Sequence, residues 1–155
     1  MSTLVLYDSQ FGNTEKIAQA IGKGISSEVS VKAAGDTGNI NWSELTLLVV
    51  GSPTQGGRPT PTLQKVFATI PDDGLKNAKV AAFDTRLRVE DHGFGLRLLM
   101  KSIGYAATKM AKLLESKGGT LVSPPEGFFV ADKEGPLKEG ELERAEKWGS
   151  QLTQA

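Results

Sequence analysis

Three polar, Gly-rich stretches hold the side chains able to do chemistry: Asp8 to Asn13, with Thr14 directly after it, Ser52 to Thr60, and Asp84 to Gly95. The first is the richest. It sets two hydroxyls, a side-chain amide and several backbone N–H groups just ahead of a helical pattern, and a helix N-terminus so equipped accepts a dianionic phosphate without a basic residue. Ser9 and Asn13 would also suit a plain helix cap, the lesser reading of this loop. No Gly-Lys-Ser/Thr closes the stretch and no Gly-x-Gly-x-x-Gly follows the first strand, so nucleoside triphosphates and dinucleotides are disfavoured. The chain has no cysteine, which excludes thiolate metal sites, a cysteine nucleophile and thiol redox chemistry. Redox work by this chain therefore requires a cofactor. The one histidine, His92, lies in a polar loop and reads as a solvated side chain.

The surrounding elements decide whether these stretches can meet. Thr3 to Tyr7, Leu45 to Val50 and Val80 to Phe83 are apolar runs of strand length, each running up to one of the polar stretches, as expected of strands buried on both faces. Val29 and Val31 mark another strand, and Thr120 to Val122 with Phe128 to Val130 form a last one interrupted by Pro124-Pro125. Helical spacing follows Thr14, with Ile17, Ala18, Ile21 and Ile25 on one face, and Pro61 starts a helix carrying Leu63, Val66, Phe67 and Ile70 before Pro71. Arg97 to Lys117 reads as a helix with Leu98, Leu99, Met110, Leu113 and Leu114 inward and Gly104 as a point of division. Glu141 to Leu152 reads as an amphipathic helix around Leu142, Ala145, Trp148 and Leu152. Between Ala34 and Trp42 there is room for about one helical turn only. Alternating strands and helices imply an α/β fold with parallel βαβ units in one doubly wound sheet. Ligands bind such sheets outside the carboxyl ends of the strands, which is where all three polar stretches fall.

The 155 residues suit a single domain, 1–155, able to bury roughly 68–70% of its unfolded surface without staples. Eighteen basic residues balance eighteen acidic ones, a composition without the electrostatic footprint of a nucleic-acid binder. No segment approaches the roughly 18 apolar residues of a membrane span, and Met1 to Tyr7 is too short for a secretory signal. A cytoplasmic location is the expectation. The balance conceals separation: Glu126 to Ala155 holds seven acids and four bases, whereas Arg97 to Lys117 holds five bases and one acid.

Taken whole, Val5-Leu6-Tyr7-Asp8-Ser9-Gln10-Phe11-Gly12-Asn13-Thr14-Glu15-Lys16-Ile17-Ala18-Gln19-Ala20-Ile21 resembles the flavodoxin signature, with two aliphatics, an aromatic, Ser/Thr, a small residue, an obligatory Thr, then Ala and an aliphatic at helical spacing. Val50-Gly51-Ser52-Pro53-Thr54 is similar to the family's second flavin loop, and the order of elements agrees over nearly the whole chain. The resemblance implies a five-stranded sheet in the order 2-1-3-4-5 within a three-layer sandwich, with FMN at its edge. The phosphate would lie on Ser9, Gln10, Gly12, Asn13 and Thr14. The isoalloxazine would lie between the second and third loops, against Pro53, Thr54, Gln55, Gly56, Asp84, Thr85 and Arg86. The uninterrupted run from Thr120 into the last helix looks like the short-chain branch.

Three features depart from an ordinary flavodoxin. Phe11 stands where a Thr is usual, at a cost of about one hydrogen bond, roughly 0.5–1.5 kcal/mol. Ser52 to Thr60 contains no aromatic to cover the flavin, and only His92 and Phe94 offer rings in the third loop. Trp42 and Trp148 read as packing residues. Electron-carrier flavodoxins are usually acidic, whereas this chain puts Arg58, Arg86 and Arg88 beside the flavin loops. An arginine within about 4 Å of the flavin's anionic edge would attract it by nearly 4 kcal/mol at an effective dielectric near 20, raising the midpoint potential. Solvent-facing or acid-paired arginines would do little.

The leading reading is an FMN-binding electron carrier with no metal, no catalytic residue of its own and a redox partner protein, expected to be a monomer. The first alternative is an FMN-dependent NAD(P)H or quinone oxidoreductase on the same fold. The second is a flavin-free binding or regulatory domain. Its receiver version fits poorly, because Asp8 stands without the acid cluster and Ser123-Pro124-Pro125 replaces the expected Lys.

Overall fold

A computed structural model describes residues 2–25, 28–55, 57–88, 93–95 and 104–154. The element order is β1 (Ser2–Tyr7), α1 (Asn13–Ile25), β2 (Val29–Ala33), β3 (Leu45–Pro53), α2 (Pro61–Phe67), β4 (Lys79–Leu87), α3 (Ala106–Ser116), β5 (Thr120–Leu121), β6 (Glu126–Val130) and α4 (Glu141–Leu152). The sheet runs β2-β1-β3-β4-β5, all pairings parallel, with β6 also beside β4. β5 and β6 are two halves of one strand. Thr120 and Leu121 pair with Lys79 and Val80, while Glu126 to Val130 pair with Phe83 to Leu87, and the intervening Pro124-Pro125 cannot donate to the ladder. The α/β architecture, the strand order and the split final strand agree with the sequence reading.

Strand alternation sorts the apolar runs onto two faces. Leu4, Leu6, Leu48, Val50, Val80 and Ala82 face the layer of α2 and α3, with Leu63, Phe67, Met110 and Leu114. Val5, Val49, Ala81, Phe83 and Phe128 face α1 and α4, with Ile17, Ile21 and Trp148. Phe83, Phe128 and Trp148 meet edge to face with centroids 6.0–6.2 Å apart, a geometry that adds to the burial itself. Both tryptophans are packing residues, as expected: Trp42 is buried on the opposite face, and Trp148 donates its indole N–H to Ser123 Oγ at 3.0 Å.

Helices α1 and α4 pack through glycines. A Cβ on Gly24 would stand 1.9 Å from the Glu146 carbonyl oxygen, and one on Gly149 would stand 2.3 Å from that of Ile21. Only residues without a side chain permit that approach. In place of a helix between β2 and β3 there are two single turns of 3-10 helix, Ala34–Asp36 and Trp42–Glu44, as the Gly/Asn content requires. Gly104 has φ +83° and sits just before α3, so it bounds this helix. Residues 96–103, including the expected inward Leu98 and Leu99, lie outside the described residues.

One expectation is corrected. Leu142, placed by periodicity on the buried stripe of α4, is 43% exposed, whereas Glu141 is buried. The cause is polar. Glu141 accepts the Phe129 N–H at 2.7 Å and two bonds from Arg144, at 2.9 and 2.7 Å, which fixes the first turn with the carboxylate inward and Leu142 outward. Burial alone would push the Glu141 carboxyl up, but the bonds from Arg144 and Phe129 and the Arg144 charge outweigh it and hold the group below its ordinary value.

Candidate functional site

The three polar stretches converge because β1, β3 and β4 are neighbours in register. Asp8 N–H donates to the Gly51 carbonyl at 3.1 Å, and Thr54 N–H to the Thr85 carbonyl at 3.1 Å. Between them opens a cleft of about 500 Å³, lined by Gln10, Phe11, Asn13, Thr14, Pro53, Thr54, Gln55, Thr85, Arg86, Leu87, Val130 and Lys133. That volume is within the range of small-molecule sites. Of the residues expected to hold a cofactor, Gln10, Asn13, Thr14, Pro53, Thr54, Gln55, Thr85 and Arg86 line it. Ser9, Gly12 and Asp84 do not, and Gly56 lies outside the described residues, as does His92.

The first loop is built from its own side chains. Asp8 accepts the Ser9 N–H at 3.0 Å through Oδ1 and the Thr60 hydroxyl at 2.6 Å through Oδ2, which ties this loop to the start of α2. Ser9 Oγ turns inward and accepts the N–H groups of Gly12, at 3.0 Å, and Glu15, at 3.3 Å. The hydroxyl is thus a cap. Among the described residues, the N–H groups of Gln10, Phe11, Asn13 and Thr14 have no protein acceptor. Four unpaired donors at the start of a 13-residue helix, all from residues lining the cleft, are a donor set that fits a phosphate. Thr14 Oγ1 is buried and lies 2.8 Å from Thr85 Oγ1, joining the first loop to the third. Asn13 donates through Nδ2 to the Glu134 carbonyl at 3.1 Å, joining it to the segment after β6.

The second and third loops surround a buried charge. Alternation along β4 sends Thr85 toward α1 and Asp84 toward α3. Asp84 is fully buried, accepting Arg86 Nε at 2.6 Å, Arg86 Nη2 at 2.9 Å and the Ala107 N–H at 3.0 Å. Thr54 also bonds this carboxylate and accepts the Ala106 N–H at 3.2 Å. Burial pushes the Asp84 carboxyl above its ordinary range, against the opposing pull of Arg86, the Ala107 amide and the Thr54 hydroxyl. The Arg86 guanidinium lies 3.5 Å from the centroid of the Tyr105 ring, and a Cβ on Gly127 would stand 2.2 Å from its Nε. Arg86 is therefore clamped between Tyr105 and the backbone of β6 with its charge matched by Asp84. Gln55 donates to Gln10 across the cleft mouth at 2.9 Å, and the backbones of Gln55 and Arg58 exchange two 3.0 Å bonds that fold the second loop into a tight turn.

Cofactor chemistry here is constrained by what lines the cleft. Among the described residues no acid does, and of the two described cations lining it, Arg86 is paired with Asp84. Arg58 is exposed, and Arg88 lies 5.9 Å from the Phe129 ring. Among the described residues, Phe11 is the one aromatic in the lining and is 42% exposed, while Phe94 is 76% exposed. Sequence reasoning missed Leu87, Val130 and Lys133 as wall residues and Tyr105 as the cover on Arg86. The β4 pattern could have extended to Leu87. Nothing local marks the segment after β6 as part of the site.

Similarity to known proteins agrees with this geometry. A search of curated proteins finds no match. Among solved structures, a flavodoxin from the domain Archaea superposes with a TM-score of 0.73 at 23% identity, covering 99% of this chain and 97% of that one. Flavodoxin 1 of Bacillus cereus gives 0.74 at 15%, covering 99% and 98%. A flavodoxin, WrbA-like protein from Agrobacterium tumefaciens gives 0.71 at 19%, covering 99% and 95%. The flavodoxin family model matches residues 5–148, a span that takes in all three loops and the sheet that brings them together, and the chain belongs to the flavodoxin family.

Proposed function

We propose that this protein binds FMN in the cleft between its first, second and third loops and carries single electrons to a redox partner protein. The observation that carries the reading is the set of four N–H groups, of Gln10, Phe11, Asn13 and Thr14, that have no acceptor among the described residues and belong to residues lining a cleft of suitable volume. The phosphate would rest on those amides. Pro53, Thr54, Gln55 and Thr85 would flank the ring, and Asp84 and Arg86 would act from behind by holding the second loop, the third loop and the start of α3 in one arrangement. Such preorganisation lowers the ordering cost of binding. When bound, FMN supplies the one- and two-electron chemistry, and the protein contributes binding, orientation and electrostatics. The purified protein should show a flavin band in visible light or take up added FMN with quenching of its fluorescence. A colourless preparation that leaves FMN fluorescence unchanged refutes the reading.

A second reading, an FMN-dependent NAD(P)H or quinone oxidoreductase, draws support from a cleft lining in which Phe11 is the one aromatic among the described residues. A flavin without a ring stacked over it leaves a face for a planar substrate. Steady-state oxidation of NAD(P)H by a quinone separates the two, and turnover no faster than that of free FMN removes the enzyme.

A further inference from the structure

We propose that Lys133 is a phosphate anchor, an electrostatic substitute for the hydroxyl that Phe11 removes from the first loop. This inference rests on the flavin-site reading. Lys133 lines the cleft with Phe11, Asn13 and Thr14, and its placement is fixed by backbone bonds. Gly135 N–H donates to the Asp132 carbonyl and Ala131 N–H to the Pro136 carbonyl, both at 2.9 Å, which closes a turn with Lys133 at its tip. The Asn13 to Glu134 bond then seats that turn against the first residue of α1.

Among the described residues, no acid shares the cleft lining with Lys133. It has no ion-pair partner among them either. The acids on either side, Asp132 and Glu134, are absent from the cleft wall, and Asp132 Oδ1 accepts the backbone N–H of Lys133 at 2.8 Å. With Arg86 matched by Asp84, Lys133 is the one cation without an ion-pair partner among the described lining residues, and it shares that lining with Phe11, Asn13 and Thr14 of the first loop. An ammonium there distinguishes a phosphomonoester dianion from a neutral ribityl hydroxyl, so its effect should appear with FMN and not with riboflavin.

The test is a fluorescence titration of flavin-free protein with FMN and with riboflavin, at low and high salt, for the wild type, Lys133→Gln and Lys133→Arg. Lys133 is exposed, so Lys133→Gln should weaken FMN by about two- to fivefold at low salt, as expected for one exposed charge pair. It should leave riboflavin unchanged and flatten the salt dependence, and Lys133→Arg should restore most of the loss. Circular dichroism checks that each variant is folded. Equal FMN affinity in wild type and Lys133→Gln overturns the proposal while leaving the flavin site standing, and so does a parallel loss of both flavins. Wild-type protein that binds neither flavin overturns the site reading and the proposal with it.

Discussion

Replacing Arg86 with Met tests the distinction between a charge aimed at a cofactor and a charge that holds two loops together. The guanidinium makes two bonds to a fully buried carboxylate and is covered by Tyr105. Removing one partner of such a pair leaves the other charge uncompensated, typically at about 3–5 kcal/mol. For a chain of this size that is about 6–20 °C in Tm. Thermal and urea unfolding of the flavin-free protein at neutral pH would measure it. The pH dependence supplies an independent sign. Burial already raises the Asp84 carboxyl, and loss of Arg86 raises it further. The native state of the variant then binds a proton more tightly than the unfolded state, whose Asp titrates near about 3.9. Stability of Arg86→Met should therefore rise as pH falls through the elevated native value toward the unfolded one, and decline as pH rises through the same window. Adding Asp84→Asn should recover part of the loss by removing the buried charge. A single-variant loss below about 1 kcal/mol, the range of exposed pairs, would refute this account and return Arg86 to the cleft as a free charge.

Three further outcomes follow from particular contacts. Thr14→Val leaves the Thr85 hydroxyl without its partner and should cost about 1–3 kcal/mol; urea unfolding of Thr14→Val, Thr85→Val and the double variant should give a coupling energy, and strict additivity would contradict the 2.8 Å bond. Gly24→Ala drives a methyl into the Glu146 carbonyl and should lower stability by about 1–3 kcal/mol through a forced shift of α1 against α4, with an unchanged Tm counting against the close approach. Because the folded-state pKa of Glu141 is depressed, its contribution is fully present above the unfolded value near about 4.3 and is lost as pH falls through the lower native value. Urea midpoints measured on acidification should thus fall less steeply for Glu141→Gln than for the wild type, and identical slopes would sink the assignment.

Much of the architecture was legible because it depends on local pattern. Runs such as Leu47 to Val50, without alternation, require a strand covered on both faces. Pro61 after Thr60, and Gly/Asn-rich residues where a crossover helix was missing, follow from backbone chemistry over a few residues. Leu142 shows where that legibility ends. Its position in the apolar period of α4 was overridden by one carboxylate, because bonds from Phe129 and Arg144 to Glu141 outweigh exposing one leucine. Ser9 and Asp84 show the same for the site. Their types suited a ligand contact, but Ser9 Oγ is taken by two amides of its own loop and Asp84 by Arg86 and the first turn of α3.

The fold class, the strands whose ends carry chemistry and a helix N-terminus rich in donors were all legible in the order of residues. Those properties arise from residue periodicity and turn chemistry within short windows. The packed fold settles which donors remain unpaired, that Arg86 is neutralised between Tyr105 and Gly127, and that Lys133 joins a cleft whose first-loop residues lie more than a hundred positions earlier. Such outcomes depend on strand parity and on partners distant in the chain, and an isolated residue carries no record of what will lie opposite it.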